Sequence, residues 1–325
     1  MPDATTTTPA PLVPHVRRLS GLMLRERVVE GLLLLAAVFS IFITSGIVFI
    51  LVNESRPFFR TVNPIEFLTG GEWTPQFADP KFGILPLVAG TLSTTLVALL
   101  VAMPVGTIIA IWLSEFAPAK VREVVKPLLE LLAAVPTVVY GFFAITLVSP
   151  VMQQVYAWVI SFFPSLKENY PELPLFNVLS AGIVMGLMIV PYVCSLSEDA
   201  MRAVPMILRE GSFGMGANRT TTALRVVFPA AFSGVAAAYT LAISRAVGET
   251  MIVAIAAGNQ PTLTANPLQP AQTITAFIVQ ASMGDLPHDD IGYQSIFAAG
   301  LTLFVMTLGF NLLGAALRRR YRQAY

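Results

Sequence analysis

Charge is scarce in this chain: Asp, Glu, Lys and Arg make up 12% of its 325 residues, against about 25% in soluble domains. A soluble globule has too little here to cover its surface, and with 55% hydrophobic residues and a mean hydropathy of +0.71 the chain reads as an integral membrane protein. Cysteine is nearly absent as well. Cys194 stands alone in an apolar run and forms no disulfide within the chain, and His15 and His288 are too far apart to offer metal-ligand spacing. Redox and metal chemistry both lose support. Each of the four lysines is followed by Phe, Val, Pro or Glu, so the Gly-Lys-Ser/Thr signature of a phosphate-binding loop is impossible and ATP is not hydrolysed by that route. A net charge of +1 gives no ground for nucleic-acid binding.

What the chain has instead is long uncharged runs. A helix needs about 20 apolar residues to cross about 30 Å of hydrocarbon, and six runs qualify: 31–52, 82–114, 131–163, about 175–196, about 226–257 and about 293–317. The first is too long for a signal-peptide core and has no convincing cleavage site, so it is expected to remain as a membrane anchor. Runs 82–114 and 131–163 contain Pro104, Pro136 and Pro150, and each could be one long span or two short ones. Basic residues decide between these, because Lys and Arg gather in cytoplasmic loops. Fifteen of the twenty fall in the N-terminal segment (Arg17, Arg18, Arg25, Arg27), after the second run (Lys120, Arg122, Lys126), after the fourth (Arg202, Arg209, Arg219, Arg225) and at the C-terminus (Arg318, Arg319, Arg320, Arg322). The alternate loops hold Arg56, Arg60, Lys81 and Lys167, and 258–292 carries Asp285, Asp289 and Asp290 with no Lys or Arg. Six single crossings put every basic loop and both termini on the cytoplasmic side; splitting either long run would not.

The expected organisation is a cytoplasmic segment 1–30, its first 16 residues Thr- and Pro-rich and disordered, followed by a transmembrane domain 31–325. The outer loops 53–81, 164–174 and 258–292 are short and rich in turn formers, as caps over a bundle would be. The loop at 198–229 is different. It mixes Met, Leu, Val and Phe with charges at helical spacing, which predicts short amphipathic helices offering a surface to a cytoplasmic partner. In the fourth run "GIVMG", 182–186, has the small-xxx-small spacing of a close helix contact. "PTVVYG" in the third puts Pro136, a hydroxyl and Gly141 where a kinked helix could expose backbone groups to a path, Tyr140 serving equally well as a packing aromatic.

Within 198–229, Glu210, Gly216 six positions later, and then Val226 and Pro229 resemble the loop named for its Glu-Ala-Ala start in bacterial ABC importer permeases, with Gly211 and Ser212 standing in place of the two alanines. "ELLAAVPTVVYGFFA" (130–144), "FGILPLVAGTL" (82–92) with the upstream "EWTP" (72–75), and "SRAVGETM" (244–251) are similar to the permease pair of phosphate ABC importers. The long N-terminal stretch and first outer loop look more like the PstC-type subunit than the PstA-type. The resemblance runs from about residue 26 to the C-terminus. It implies an all-α bundle of six transmembrane helices with the type I ABC importer permease fold, in a bacterial cytoplasmic membrane. It also implies a coupling helix bearing Glu210 and Gly216 that docks on a dimer of ATPase subunits, a PstA-type second permease, and an extracytoplasmic phosphate-binding protein. No cofactor is expected in this chain; ATP and Mg would be held by the ATPase.

The fifth run holds Arg245 and Glu249, four residues apart and so on one face of a continuous helix, where they could meet as an ion pair. A charge at the centre of a span costs about 2.5 to 3.5 kcal/mol on insertion scales, so both should face the bundle or an aqueous path. They could be a structural pair that orients the span. Alternatively Arg245 receives a passing oxyanion through two parallel hydrogen bonds, with Glu249 holding the Arg when the path is empty. The resemblance implies a transport role for both. Thr250 is a weaker candidate for the path, and it and Ser244 fit packing better. One Arg does not distinguish phosphate from sulfate, molybdate or phosphonate, and a channel or sensor could also use such a pair. A membrane-embedded enzyme would need a cluster of His, Cys or paired Asp, which the spans lack.

Overall fold

The computed structural model describes residues 19–162, 173–284, 287 and 290–321. The expectations for residues 1–16 and for Arg17, Arg18, Lys167, Asp285, His288, Asp289 and Arg322 lie outside the described residues. Among those described, regular structure is helical, apart from two isolated bridges, Trp73–Phe82 and Gly258–Ala271. By compactness the chain divides into Met1–Ile50 and Leu51–Tyr325.

Helix α1, Leu19–Thr61, starts in the first unit and ends in the second. In the first unit it exposes Leu32, Leu33, Leu34, Leu35, Phe39 and Phe42, the all-round apolar surface of a helix made for lipid. The second unit holds the rest. After α1 come α2 (Pro64–Thr69), α3 (Leu85–Ile111, extended by a π-helical turn Trp112–Phe116) and α4 (Ala119–Ala133). Then follow α5 (Thr137–Phe143), which runs through a π turn Ala144–Val148 into α6 (Ser149–Phe162), and α7 (Val178–Arg202). Short helices α8 (Met206–Gly214), α9 (Arg219–Thr222) and α10 (Phe228–Ala230) lead to α11 (Phe232–Val247), α12 (Met251–Ala256), α13 (Ile274–Ser282) and α14 (Ile291–Tyr321).

Among the described residues five helices are long and apolar enough to cross a membrane, and six if the bent pair Arg219–Ala230 and Phe232–Val247 counts as one. Run 82–114 is a single helix with Pro104 inside it, as the charge distribution required. Three boundaries differ from expectation. The third span begins at Thr137, because Pro136 has no N–H with which to continue α4. The fifth does not run straight from Val226: the chain turns by 71° at Ala231, and the helix breaks again after Val247. The outer loops are more than turns, since α2 and α13 fold within them.

Helix α7 is the axis of the second unit, with 72% of its apolar window buried, while the other four unbroken spans reach at most 33%. Small residues bring α3 against it. A Cβ on Gly186 would meet the Ala98 carbonyl oxygen at 2.8 Å, one on Gly182 would press on Val97, and one on Gly106 of α3 would meet Val193 at 2.8 Å. The "GIVMG" spacing therefore does serve close helix contact. Around this seam Ala98, Ala102, Val184, Met185, Met188 and Ile189 join Ala242, Ala246, Ile252 and Val253 in one core. An aromatic cluster of Phe58, Phe67, Trp73 and Phe82 with Phe277 closes the end where α2 and α13 lie, its rings meeting edge to face at 5.0–6.2 Å. A third core, with Leu113, Cys194, Met201, Val227 and Val235, seals the opposite end, which bears Lys126, Arg202 and Arg209.

Candidate functional site

The stretch 244–251 forms a break between two helices. Helix α11 ends at Val247, Gly248 closes it with its N–H on the Ser244 carbonyl (3.2 Å), and α12 begins at Met251. Glu249, 8% exposed, turns its carboxylate onto the new helix: Oε1 accepts from the N–H groups of Met251 (3.1 Å) and Ile252 (3.4 Å). That position suits an anion, since the first N–H groups of a helix have no partner within it and carry its positive end. The Glu249 carbonyl in turn accepts from the Thr275 hydroxyl at 2.6 Å, which ties the break to α13. Half-buried Thr250 keeps its hydroxyl on the Gly248 carbonyl (3.3 Å), so it serves the break itself.

Arg245 and Glu249 are therefore not joined as the sequence led us to expect. The i, i+4 geometry requires a continuous helix, and the chain leaves the helix between them. Among the described residues, no ion pair joins Arg245 to any carboxylate. The guanidinium instead lies over Tyr192 of α7, with Cζ 4.3 Å from the ring centre, and Nη2 stands 3.9 Å from the Met188 sulfur. Its Nε is buried without a hydrogen-bond partner in the described structure. A cation held by a ring face and a thioether keeps donors free for an incoming oxygen anion.

Tyr192 was not legible as a site residue. Its hydroxyl reaches the Ala133 carbonyl at 3.4 Å, and Tyr140 donates to the Leu132 carbonyl at 2.8 Å. Leu132 and Ala133 are the last residues of α4, so two tyrosines bind its backbone where the helix ends before Pro136. Beside them a cavity of about 390 Å³ is lined by Glu130, Ala133, Pro191, Tyr192, Ser195 and Leu241.

At the other end of α7, the loop forms short helices as its spacing predicted. Gly216, at φ +83°, ends α8 in a conformation that favours glycine, with its N–H on the Phe213 carbonyl (2.9 Å) and the next N–H on that of Ser212 (3.1 Å). Glu210 and Pro229 are exposed. Glu210 forms no ion pair among the described residues; its neighbour Arg209 does, gripping Glu115 through Nε (3.2 Å) and Nη2 (2.8 Å). Around them α8 exposes Met206, Ile207 and Phe213, with Met215 beyond its end. A second clasp joins α4 to α7, where Lys126 bonds the fully buried Glu198 at 2.8 Å and also Asp199. Burial works against the Lys126 ammonium, but the hydrogen bonds to Asp199 and Glu198 outweigh it and raise its pKa above the ordinary 10.5.

Residues 102–323 match the family model described as binding-protein-dependent transport system inner membrane component. A probable ABC transporter permease protein, YqgH, of Bacillus subtilis (strain 168) is 37% identical over 252 residues, 78% of this chain and 77% of that one. The phosphate transport system permease protein PstC of Mesorhizobium japonicum is 34% identical over 249 residues, 74% of each chain. Among solved structures, a bacterial ABC transporter involved in the import of the acidic polysaccharide alginate superposes with a TM-score of 0.62 at 16% identity, covering 94% of this chain and 100% of that one. That likeness gives the fold, a type I ABC importer permease. The matched stretch takes in the break at 248–250, Arg245 and α8, and the chain belongs to the family of binding-protein-dependent transport system inner membrane components.

Proposed function

We propose that this chain is one of the two membrane-spanning subunits of an ATP-driven importer of inorganic phosphate, the PstC-type partner of a PstA-type permease. The relatives named as phosphate transport permeases support the substrate. On the chain itself the reading rests on one observation: a guanidinium on a broken span, facing α7, with no carboxylate paired to it among the described residues. A phosphate arriving from an extracytoplasmic binding protein would take two parallel hydrogen bonds from Arg245, leaving the Tyr192 face as it does so. Glu249 stays on the N-terminus of α12, where it tempers the local positive charge so that the ion is released again.

The basic end of the bundle is cytoplasmic on this reading, because Lys and Arg gather there, and both termini lie on that side of the bacterial inner membrane. The chain binds no ATP. Two ATPase subunits, which hold ATP and Mg, seat on the loop 198–229, with α8 as the coupling helix, Glu210 and Gly216 at its surface and turn, and Pro229 at the re-entry to the membrane. Nucleotide-driven closure of the ATPases moves α8 and switches the side from which Arg245 is reached.

The test is ATP-dependent uptake of labelled phosphate, with sulfate as competitor, by the complete complex reconstituted with its binding protein. Arg245→Gln should lower uptake at least tenfold, the loss set by hydrogen bonds to a charged group worth about 1.5–3 kcal/mol, while assembly stays intact. Sulfate uptake without phosphate uptake would overturn the substrate, and uptake independent of ATP would overturn the importer.

A further inference from the structure

Arg209 makes more contacts than any tether needs. Its side chain, 11% exposed, faces inward from α8, and its guanidinium spends four hydrogen bonds on three different elements. Nε and Nη2 grip both oxygens of Glu115, Nη1 donates to the Val204 carbonyl (2.7 Å), and Nη2 also donates to the Met201 carbonyl (2.9 Å). Ser114 donates to Glu115 Oε1 at 2.9 Å and fixes the carboxylate from behind. Met201 is in the last turn of α7, and Glu115 is in the π turn Trp112–Phe116 that ends α3. One side chain thus joins the loop helix to the ends of two spans.

The grip lands on a helix end that already departs from α geometry, and π turns of this kind recur at functional positions. From there α3 runs 27 residues as one helix, about 40 Å at 1.5 Å per residue. At its far end the Thr91 hydroxyl accepts the Ile274 N–H at 3.0 Å, beside Gly90, which lies against the Gln272 carbonyl. Thr275, one residue on, is the side chain that holds the Glu249 carbonyl. A single continuous helix, with Pro104 inside it, therefore connects Arg209 to the break at 248–250, with a directional polar contact at each joint. Simple anchoring would be served as well by apolar packing, because a buried ion pair offers little net stability over a hydrophobic contact of the same shape. What the planar fork adds is orientation: a rotation of α8 turns Glu115 with it.

We propose that Arg209, through Glu115, is the strut that converts movement of α8 into movement of α3, a positioning role that rests on the reading of α8 as the seat of the ATPase. Its loss uncouples ATP hydrolysis from transport. Arg209→Lys keeps the charge and loses the fork; Glu115→Gln keeps the shape and loses the charge. Each variant is assembled into the complete complex with its binding protein, and phosphate uptake and ATP hydrolysis are measured on the same preparation. The expected result for each is binding-protein-stimulated hydrolysis within about twofold of wild type with phosphate moved per ATP reduced tenfold or more. In an Arg209→Cys, Glu115→Cys protein, bridging the two thiols with a short bifunctional reagent restores the ratio. An unchanged ratio overturns the proposal, whether both rates stay normal or both fall together, as does loss of assembly in both single variants, since the pair would then serve folding alone. Failure of the wild-type complex to couple ATP to uptake would count against the importer reading instead, so the two outcomes are distinguishable.

Discussion

The guanidinium of Arg245 rests on the face of Tyr192, 4.3 Å from the ring centre, and does not pair with Glu249 four residues on. The ring offers a cation a seat that competes weakly with an incoming anion, because a cation–π contact is worth about 0.5–1 kcal/mol when exposed and about 2 when desolvated. A carboxylate there would compete far more strongly.

Tyr192→Phe should therefore leave uptake within about twofold of wild type, since the ring remains and only the long hydrogen bond to Ala133 is lost. Tyr192→Leu should lower the apparent KM for transport several-fold, because the ring seat that the anion displaces is gone and a contact of that size corresponds to roughly 2- to 30-fold. Uptake kinetics of the reconstituted complex decide it, and equal behaviour of the two variants would show that the ring does not position the Arg.

Glu249 carries the second prediction. Its carboxylate caps α12, and losing a cap costs about 0.5–2 kcal/mol. Glu249→Gln keeps an oxygen for the Met251 and Ile252 N–H groups and should hold thermal stability near wild type, whereas Glu249→Ala should lose that amount. Equal destabilisation of the two in detergent-solubilised protein would mean that the charge, and not the cap, is what the break requires.

Much of this arrangement could be read from composition alone. Hydropathy and basic residues found the spans, and the helical spacing of apolar and charged residues in 198–229 found the loop helices, because burial leaves local marks. The Arg245–Glu249 relationship was misread for a physical reason. Four residues apart implies one face only if the helix continues, and nothing in "RAVGE" reveals that tertiary contacts, Thr275 on the Glu249 carbonyl among them, stabilise a break there. Tyr192, Glu115 and Glu198 were invisible because their partners lie 53, 94 and 72 residues away. Arg209 was counted only as one more cytoplasmic charge.

The third prediction concerns the seam between α3 and α7. A methyl added at Gly186 meets the backbone oxygen of Ala98, which cannot swing aside, while Gly309 of α14 has nothing within 4 Å of the same position. Gly186→Ala should destabilise the protein by about 1–3 kcal/mol, the usual cost of overpacking. Gly309→Ala should be neutral or stabilising by up to about 1 kcal/mol through helix propensity. Thermal unfolding of the two variants in detergent tests the pair.

Lys126 ties α4 to α7 through Glu198, which is wholly buried and, among the described residues, has no nearer second cation than Arg202 at 3.7 Å. Lys126→Met should cost about 3–5 kcal/mol, because it strands a buried carboxylate. Adding Glu198→Gln should recover more than half of the loss, since the stranded charge is then gone. The pH dependence has a definite sign. The Lys126 pKa is raised above 10.5 in the folded protein, so its contribution is present in full below 10.5 and fades only as pH rises through the higher folded value. The stability gap between wild type and Lys126→Met should accordingly stay constant from neutral pH to about pH 10 and narrow above it. A gap that closes between neutral pH and that point would mean that the clasp is held by something other than the lysine charge.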